Sequence, residues 1–164
     1  MKILKENGFN WIRLRLFVDP TTEKGYSKDG FLWVGIHSIH GQAYKGCWHE
    51  IPARFPTYSD TWAVLANRQT PASWSNIHGS ALEGKVYSYS NEVIKRFMAE
   101  GVCPDMVQVG NEINNGMMWP QGKITETYEP FAVLLRCATA GVRAANPDIK
   151  IMIHIACGGQ MKNR

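Results

Sequence analysis

Asn111 and Glu112 are the side chains whose types and position most clearly suggest chemistry. They follow a short apolar run, Met106 to Val109, which is typical of a buried β-strand, and Gly110 ends that run. In a parallel α/β barrel, residues at the carboxyl ends of the strands form the active site. A carboxyl group there can act as a general acid, and the amide beside it can hydrogen-bond a sugar hydroxyl. A loop carboxylate next to a turn-forming asparagine is the alternative that an isolated Asn-Glu pair leaves open.

The elements that would position this pair alternate between helix and strand. Apolar residues at three- and four-residue spacing predict two helices, and short apolar runs predict the strands between them. The first predicted helix runs from Ser80 to near Gly101, and a strand follows Pro104. The second predicted helix has the apolar stripe Tyr128 to Val142; Thr125 or Thr127 would cap its start, and Asn146-Pro147 would end it. A strand is predicted from Lys150 to Ala156. This alternation indicates parallel βα units.

An earlier strand is predicted from Trp11 to Val18. Arg13 and Arg15 are two positions apart in it, so both side chains point to the same face. Two like charges on the inner face of a barrel strand are costly unless they meet carboxylates or substrate. The alternative is an edge strand with a solvated charged face.

Composition and charge exclude several classes of function. Hydrophobic residues make up 45% of the 164 residues and charged residues 20%, as in an ordinary globular domain. The net charge is +4, but the basic residues are scattered, which gives no indication of nucleic-acid binding. No stretch is long and apolar enough for a membrane span, and the N-terminus lacks the apolar core of a signal peptide. It is instead typical of the last turns of an amphipathic helix ending at Gly8, so we expect the chain to begin inside a domain.

The cysteines and histidines do not have metal-site spacing. The four cysteines contain no CxxC pair and indicate neither a zinc site nor a disulfide framework. His37 and His40, with Cys47 and His49 nearby, are a scatter of potential ligands that fits no standard site. We expect no metal in this chain.

Several segments resemble one enzyme family in the family's own order. They are Leu4 to Pro20, Tyr-Ser-Asp-Thr-Trp-Ala from Tyr58, Gln69 to Trp74, Pro104 to Pro120 with its Gly-Asn-Glu-Ile-Asn-Asn-Gly, and Lys150 to Ala156. With these segments the sequence resembles glycoside hydrolase family 53, the arabinogalactan endo-β-1,4-galactanases. Val64-Leu65 departs from the family pattern, which has Asp-Pro at this point.

The resemblance implies an α/β fold, a fragment of a (β/α)8 TIM barrel covering about strands 2 to 5. Such a barrel typically needs about 250 residues, so residues 1–164 are expected to be a partial catalytic domain. The family hydrolyses β-1,4-galactosidic bonds in galactan and type I arabinogalactan with retention of configuration. Its nucleophile lies at the end of the seventh strand, so we expect this chain alone to be inactive.

The resemblance also implies roles for individual residues. Glu112 corresponds to the general acid/base, and Asn111 to the partner of the sugar 2-hydroxyl. The expected substrate-binding residues are Asn111, Arg13, Arg15, Asp60, Trp62, Trp119 and His154, with Arg13 also orienting the catalytic carboxylate. For Trp62, Trp119 and His154 a purely structural role stays open.

Other properties follow from the resemblance alone. The expected partner is a polysaccharide, neither nucleic acid nor membrane, and the expected location is extracellular or periplasmic. No cofactor is expected in this chain, although calcium occurs in some full-length members. The alternatives are a non-catalytic or vestigial galactan-binding product and a hydrolase of another family in the same clan. The pairing of the Ser-Asp-Thr-Trp-Ala and Gly-Asn-Glu-Ile-Asn-Asn-Gly motifs argues against the second alternative.

Residues from about 29 to 57 show neither helical nor strand periodicity, although the family has a helix and its third strand there. Synonymous codons can be chosen for Val34 to Pro56 such that a shifted frame encodes an amphipathic helix, a glycine and an apolar strand. We therefore hypothesise that this segment is out of frame through a compensated frameshift. The nucleotide sequence tests the hypothesis, because codons that cannot give the alternative reading would contradict it.

Overall fold

The computed structural model of the protein describes residues 3, 6–9, 11, 13–19, 54–56, 58 and 68–156. Within these ranges a four-stranded parallel sheet in the order β1-β2-β3-β4 is accompanied by two long helices. The elements are β1 Leu14–Leu16, β2 Arg54–Pro56, α1 Gly79–Ala99, β3 Met106–Val109, α2 Glu129–Ala145 and β4 Lys150–Ile153. The predicted α/β class and the predicted parallel βα units are confirmed.

The pairing of β3 with β4 determines which side chains face the helices. β3 and β4 run in register from Met106 opposite Lys150 to Val109 opposite Ile153. Val107 and Val109 are fully buried in a hydrophobic core that includes Leu82 of α1 and Leu134 of α2. Because side chains alternate across a strand, Gln108 points to the opposite face of the sheet.

The two helices pack closely at a glycine. A Cβ atom on Gly141 of α2 would lie 2.3 Å from the backbone oxygen of Tyr87 in α1. Only a residue without a side chain allows this approach, and it brings Asn91 Nδ2 to 3.1 Å from the Gly141 carbonyl oxygen. The contact fixes the helical layer behind the sheet.

The observed helix limits confirm most of the predicted ones. α1 ends at Ala99, two residues before Gly101 at φ +68°, and α2 ends at Ala145 with Asn146 as C-cap. The predicted threonine cap of α2 is wrong. Tyr128 is the N-cap residue and makes no side-chain capping bond; a proline in the first turn, which needs no amide partner, follows it instead.

The outer strands are shorter than predicted. β1 comprises Leu14–Leu16 rather than Trp11 to Val18, and β4 ends at Ile153 rather than Ala156. His154 therefore follows the strand directly, in the loop at its carboxyl end.

The segment predicted to be out of frame is described only at 54–56, where it forms β2 between β1 and β3. Pro56 lies opposite Leu16 in this central strand. Proline has no backbone N–H, so it cannot donate a hydrogen bond to a neighbouring strand. The frameshift stays a prediction, and His37, His40, Cys47 and His49 lie outside the described residues.

Tyr58 connects the loop after β2 to the helical layer. Its buried hydroxyl donates to Ser90 Oγ at 2.7 Å, and Ser90 in turn donates to the Val86 carbonyl oxygen at 2.7 Å. Burial raises the pKa of Tyr58, because the charged phenolate would lose its solvation, while the Ser90 hydrogen bond acts in the opposite direction. In the part of the chain that the structure describes, no helix combines the length and apolar character needed to cross a membrane.

Candidate active site

The loop after β3 turns sharply before it reaches the catalytic candidate. Gly110 has φ +74°, and Glu112 lies in the left-handed region at φ +50° and ψ +50°. A residue other than glycine is strained in the left-handed region, and such strain is concentrated at functional sites. The turn directs the Glu112 and Ile113 amides towards the end of β4, where they face His154 Nδ1 at 3.3 Å and the His154 carbonyl oxygen at 3.1 Å.

The Asn111 carboxamide oxygen collects contacts from three separate elements. Arg13 Nη2 donates to it at 3.1 Å, His154 Nδ1 lies 3.1 Å away, and Gln108 Nε2 makes a longer contact at 3.5 Å. The Arg13 contact determines which end of the carboxamide is the oxygen, since a guanidinium can only donate. The pKa of Arg13 is lowered, because the effect of partial burial outweighs the opposing effect of the negative charge of Glu112.

His154 Nδ1 has two neighbours that require opposite states of the same nitrogen. To accept from the Glu112 amide it must present a lone pair, whereas to donate to the Asn111 oxygen it must carry the proton. The ring can satisfy one neighbour at a time. The proton on His154 is therefore linked to the arrangement of both Asn111 and Glu112.

Arg68 is a residue of this site that was not predicted from the sequence. Its Nη2 lies 3.3 Å from Glu112 Oε2, and its Nη1 donates to the backbone carbonyl of Asn111. The Arg68 side chain is 8% exposed and that of Glu112 33% exposed. Arg68 lies in a loop 44 positions before Glu112 in the sequence. A local motif around Glu112 therefore cannot identify it.

Asn114 is a second residue that the sequence analysis did not single out. Its Nδ2 donates to the Ala156 carbonyl oxygen and its Oδ1 accepts from the Ala156 amide, both at 2.8 Å. The side chain thus pairs with the backbone after β4 as a neighbouring strand would. This pairing holds the His154 loop against the Glu112 loop. In the sequence, Asn114 could have been identified as the second asparagine of the Asn-Glu-Ile-Asn motif.

Trp119 joins the site through its backbone. Its amide donates to the Arg68 carbonyl oxygen at 2.7 Å, and Thr70 returns a hydrogen bond to the Trp119 carbonyl at 3.1 Å. The indole Nε1 donates to the Asn115 carbonyl oxygen at 3.0 Å, and Lys123 Nζ lies 4.6 Å from the ring centroid. Trp119 therefore holds the Arg68 loop beside the Glu112 loop.

The structure brings together the side chains of four predicted site residues, Arg13, Asn111, Glu112 and His154, and the backbone of a fifth, Trp119. Asp60 and Trp62 lie outside the described residues. Arg15 belongs to β1, and its side chain is outside the described part as well. Among the residues that are described, no group of three or more His, Cys, Asp or Glu side chains could hold a metal ion.

This geometry places an oriented carboxyl group at the carboxyl edge of a parallel sheet. One oxygen of Glu112 contacts a buried guanidinium, while the side chain stays one-third exposed to solvent. Such a group can give a proton to a bound molecule and later take one from water.

The chain is similar in sequence and fold to part of several known proteins. The model of glycosyl hydrolase family 53 matches residues 1–164. An arabinogalactan endo-β-1,4-galactanase of Humicola insolens is 37% identical over 164 residues, which cover 95% of this chain and 45% of the relative.

Two solved structures agree with this match. The family 53 catalytic domain of Ignisphaera aggregans gives a TM-score of 0.83 at 36% identity over 93% of this chain and 42% of the other. A structure of fungal β-1,4-galactanases gives 0.82 at 32% identity over 94% and 44%. The chain thus spans less than half the length of the relatives that it matches.

Proposed function

The chain belongs to glycosyl hydrolase family 53, and we propose that it forms the acid/base part of an endo-β-1,4-galactanase active site. The substrate is β-1,4-galactan or type I arabinogalactan, cleaved at internal bonds with retention of configuration. The observation that carries the proposal is the convergence of Arg13, Arg68 and His154 on the Asn111-Glu112 pair. In this proposal β1 to β4 are strands 2 to 5 of the (β/α)8 barrel.

Glu112 has two tasks in a retaining mechanism. Its protonated carboxyl gives the proton to the glycosidic oxygen as a second carboxylate attacks the anomeric carbon and the bond to the leaving sugar breaks. The resulting Glu112 carboxylate then takes a proton from water, whose oxygen displaces the enzyme carboxylate from the anomeric carbon. The family resemblance assigns the second carboxylate to the seventh strand, so β1 to β4 alone are expected to bind galactan without cleaving it.

The neighbouring residues orient Glu112 and the sugar. Asn111 hydrogen-bonds the 2-hydroxyl, and Arg13 holds the Asn111 carboxamide in one orientation through the 3.1 Å contact. His154 contacts the sugar from the end of β4. The remaining substrate contacts are assigned to Arg15, Asp60, Trp62 and Trp119. The enzyme acts outside the cytoplasm, extracellular or periplasmic, because a polymeric substrate does not cross a membrane.

A chimera tests the proposal. The matching segment of the Humicola insolens relative is replaced by residues 1–164, and release of reducing ends from β-1,4-galactan is measured. We expect hydrolysis with retention, and a loss of about 10²- to 10⁴-fold in Glu112→Ala, the range that general acid–base catalysis contributes. With an aryl β-galactobioside that has a good leaving group, azide should restore turnover of Glu112→Ala and give a β-galactosyl azide.

Glu126→Ala is the matched control, because Glu126 is an exposed loop glutamate. It should behave as the unsubstituted chimera. A folded chimera that binds galactan without cleaving it would contradict the catalytic proposal and support a binding function. Galactan cleavage by the 164 residues alone, abolished in Glu112→Gln, would contradict the assignment of the nucleophile to the seventh strand.

A further inference from the structure

We propose that Arg68 is a positioning residue that determines which oxygen of Glu112 carries the transferred proton. The proposal deepens the galactanase function and rests on it. Arg68 acts through Glu112 and does not itself contact the reacting atoms.

The first step is the contact pattern of the guanidinium. Arg68 spans two consecutive residues, with Nη1 on the Asn111 backbone carbonyl and Nη2 at 3.3 Å from Glu112 Oε2. The planar guanidinium presents its donors in a fixed geometry. The two contacts together fix the Glu112 carboxylate relative to its own backbone.

The second step is the anchoring of Arg68 itself. The Arg68 carbonyl accepts from the Trp119 amide at 2.7 Å, and the adjacent Gln69 forms a parallel bridge with Trp119. The Arg68 side chain is only 8% exposed. Burying a guanidinium is costly unless its donors are paired, and the contacts to the Asn111 carbonyl and to Glu112 provide that pairing.

The third step concerns the proton. A proton on Oε2 would point at the Nη2–H of Arg68, which places two donors against each other. The contact therefore favours the proton on Oε1, which receives no hydrogen bond from the residues that the structure describes. In this arrangement Arg68 occupies Oε2, the Glu112 side chain is one-third exposed, and Oε1 is the oxygen left to meet the glycosidic oxygen.

The dependence on the leaving group separates this role from a merely structural one. A sugar leaving group needs a well-placed proton, whereas a dinitrophenolate leaves without one. In the chimera, Arg68→Gln should lower kcat/KM on galactan about 30- to 100-fold, since misplacing a reacting group by about 1 Å costs on this order. On a dinitrophenyl β-galactobioside, the first chemical step should change less than about 3-fold, within the uncertainty of such comparisons.

Two variants complete the design. Arg68→Lys keeps the charge but cannot span both acceptors, and it should recover only a minor part of the loss. Arg136→Gln breaks the exposed Arg136–Glu129 pair of 2.7 Å and should leave both rates unchanged. An equal loss on both substrates in Arg68→Gln, or full recovery in Arg68→Lys, would overturn the positioning role.

A measurement on the 164-residue chain tests the contact without turnover. Slowed guanidinium rotation should give resolved Hη resonances for one buried arginine by NMR, which are absent in Arg68→Lys and shifted in Glu112→Gln. Unchanged resonances in Glu112→Gln would refute the contact. An unsubstituted chimera that is folded but inactive on galactan would count against the proposed function, and the NMR outcome would still decide the contact.

Discussion

In the helical layer, α1 and α2 meet through side chains that each helix presents at regular spacing, and Gly141 lets their backbones approach. In the strand-end loops, Arg13, Arg68 and His154 come from three distant segments to hold the Asn111-Glu112 pair. The first region is apolar and repetitive, and the second is polar and includes a left-handed Glu112. Substitutions in the helical layer should change stability, whereas substitutions in the loops should change chemistry.

Two Arg–Glu pairs show the same contrast within one type of interaction. Arg136 and Glu129 on α2 are 2.7 Å apart, and their side chains are 64% and 67% exposed. Arg68 and Glu112 are farther apart at 3.3 Å, but the arginine is buried. A short distance at an exposed site has little energetic value, because water and salt screen the charges. Burial rather than distance distinguishes the pair at the candidate active site.

The largest effect is expected from Glu112→Gln. In the chimera it should lower kcat on galactan about 10³-fold, close to 4 kcal/mol of barrier, because the amide cannot donate or accept the transferred proton. The urea midpoint should shift little, since glutamine preserves the side-chain shape and its carboxamide oxygen can still accept from Arg68 Nη2. A large loss of stability with little loss of rate would break the distinction between the two regions.

Gly141→Ala should have the largest effect on stability. The new Cβ would lie 2.3 Å from the Tyr87 carbonyl oxygen, so the helices must separate, at a cost of about 1–3 kcal/mol. Urea unfolding of the chain measures this cost. Gly84→Ala is the matched control, because a Cβ at Gly84 of α1 meets nothing within 4 Å. It should stabilise by about 0.5–1 kcal/mol, the usual gain of alanine over glycine in a helix.

Tyr58→Phe should cost less, about 1 kcal/mol, because it removes the hydrogen bond to Ser90 while keeping the ring. The effect is measured by urea unfolding at pH 7. An unchanged midpoint would show that the bond between the β2 loop and α1 contributes nothing to stability.

The raised pKa of Tyr58 predicts that the protein loses stability at high pH. Burial raises the pKa of Tyr58 above its unfolded value of about 10, so the folded state favours the neutral form. This contribution is complete below pH 10 and is lost as the pH rises further. The urea midpoint should fall more steeply above pH 10 in the unsubstituted chain than in Tyr58→Phe, and parallel curves would contradict the assignment.

The same two regions explain which features were predictable from sequence. α1 was predicted because a helix is a local pattern, and the position of Glu112 after a strand because its motif and strand are contiguous. Arg68 was not, because its contact with Glu112 exists only after two loops are brought together by Trp119. The threonine cap of α2 was wrong because a proline in the first turn started the helix instead.

The smallest effect is expected from Arg136→Gln. It removes an ion pair between side chains that are about two-thirds exposed, and such pairs contribute about 0–1 kcal/mol. Urea unfolding at low and high salt measures this value, and the difference between variants should vanish at high salt, where the charges are screened. A salt-independent loss above this range would mean that the pair of 2.7 Å stabilises α2 through packing. The buried and exposed Arg–Glu pairs would then no longer differ in their effect on stability. Only the loss of rate in Arg68→Gln would distinguish them.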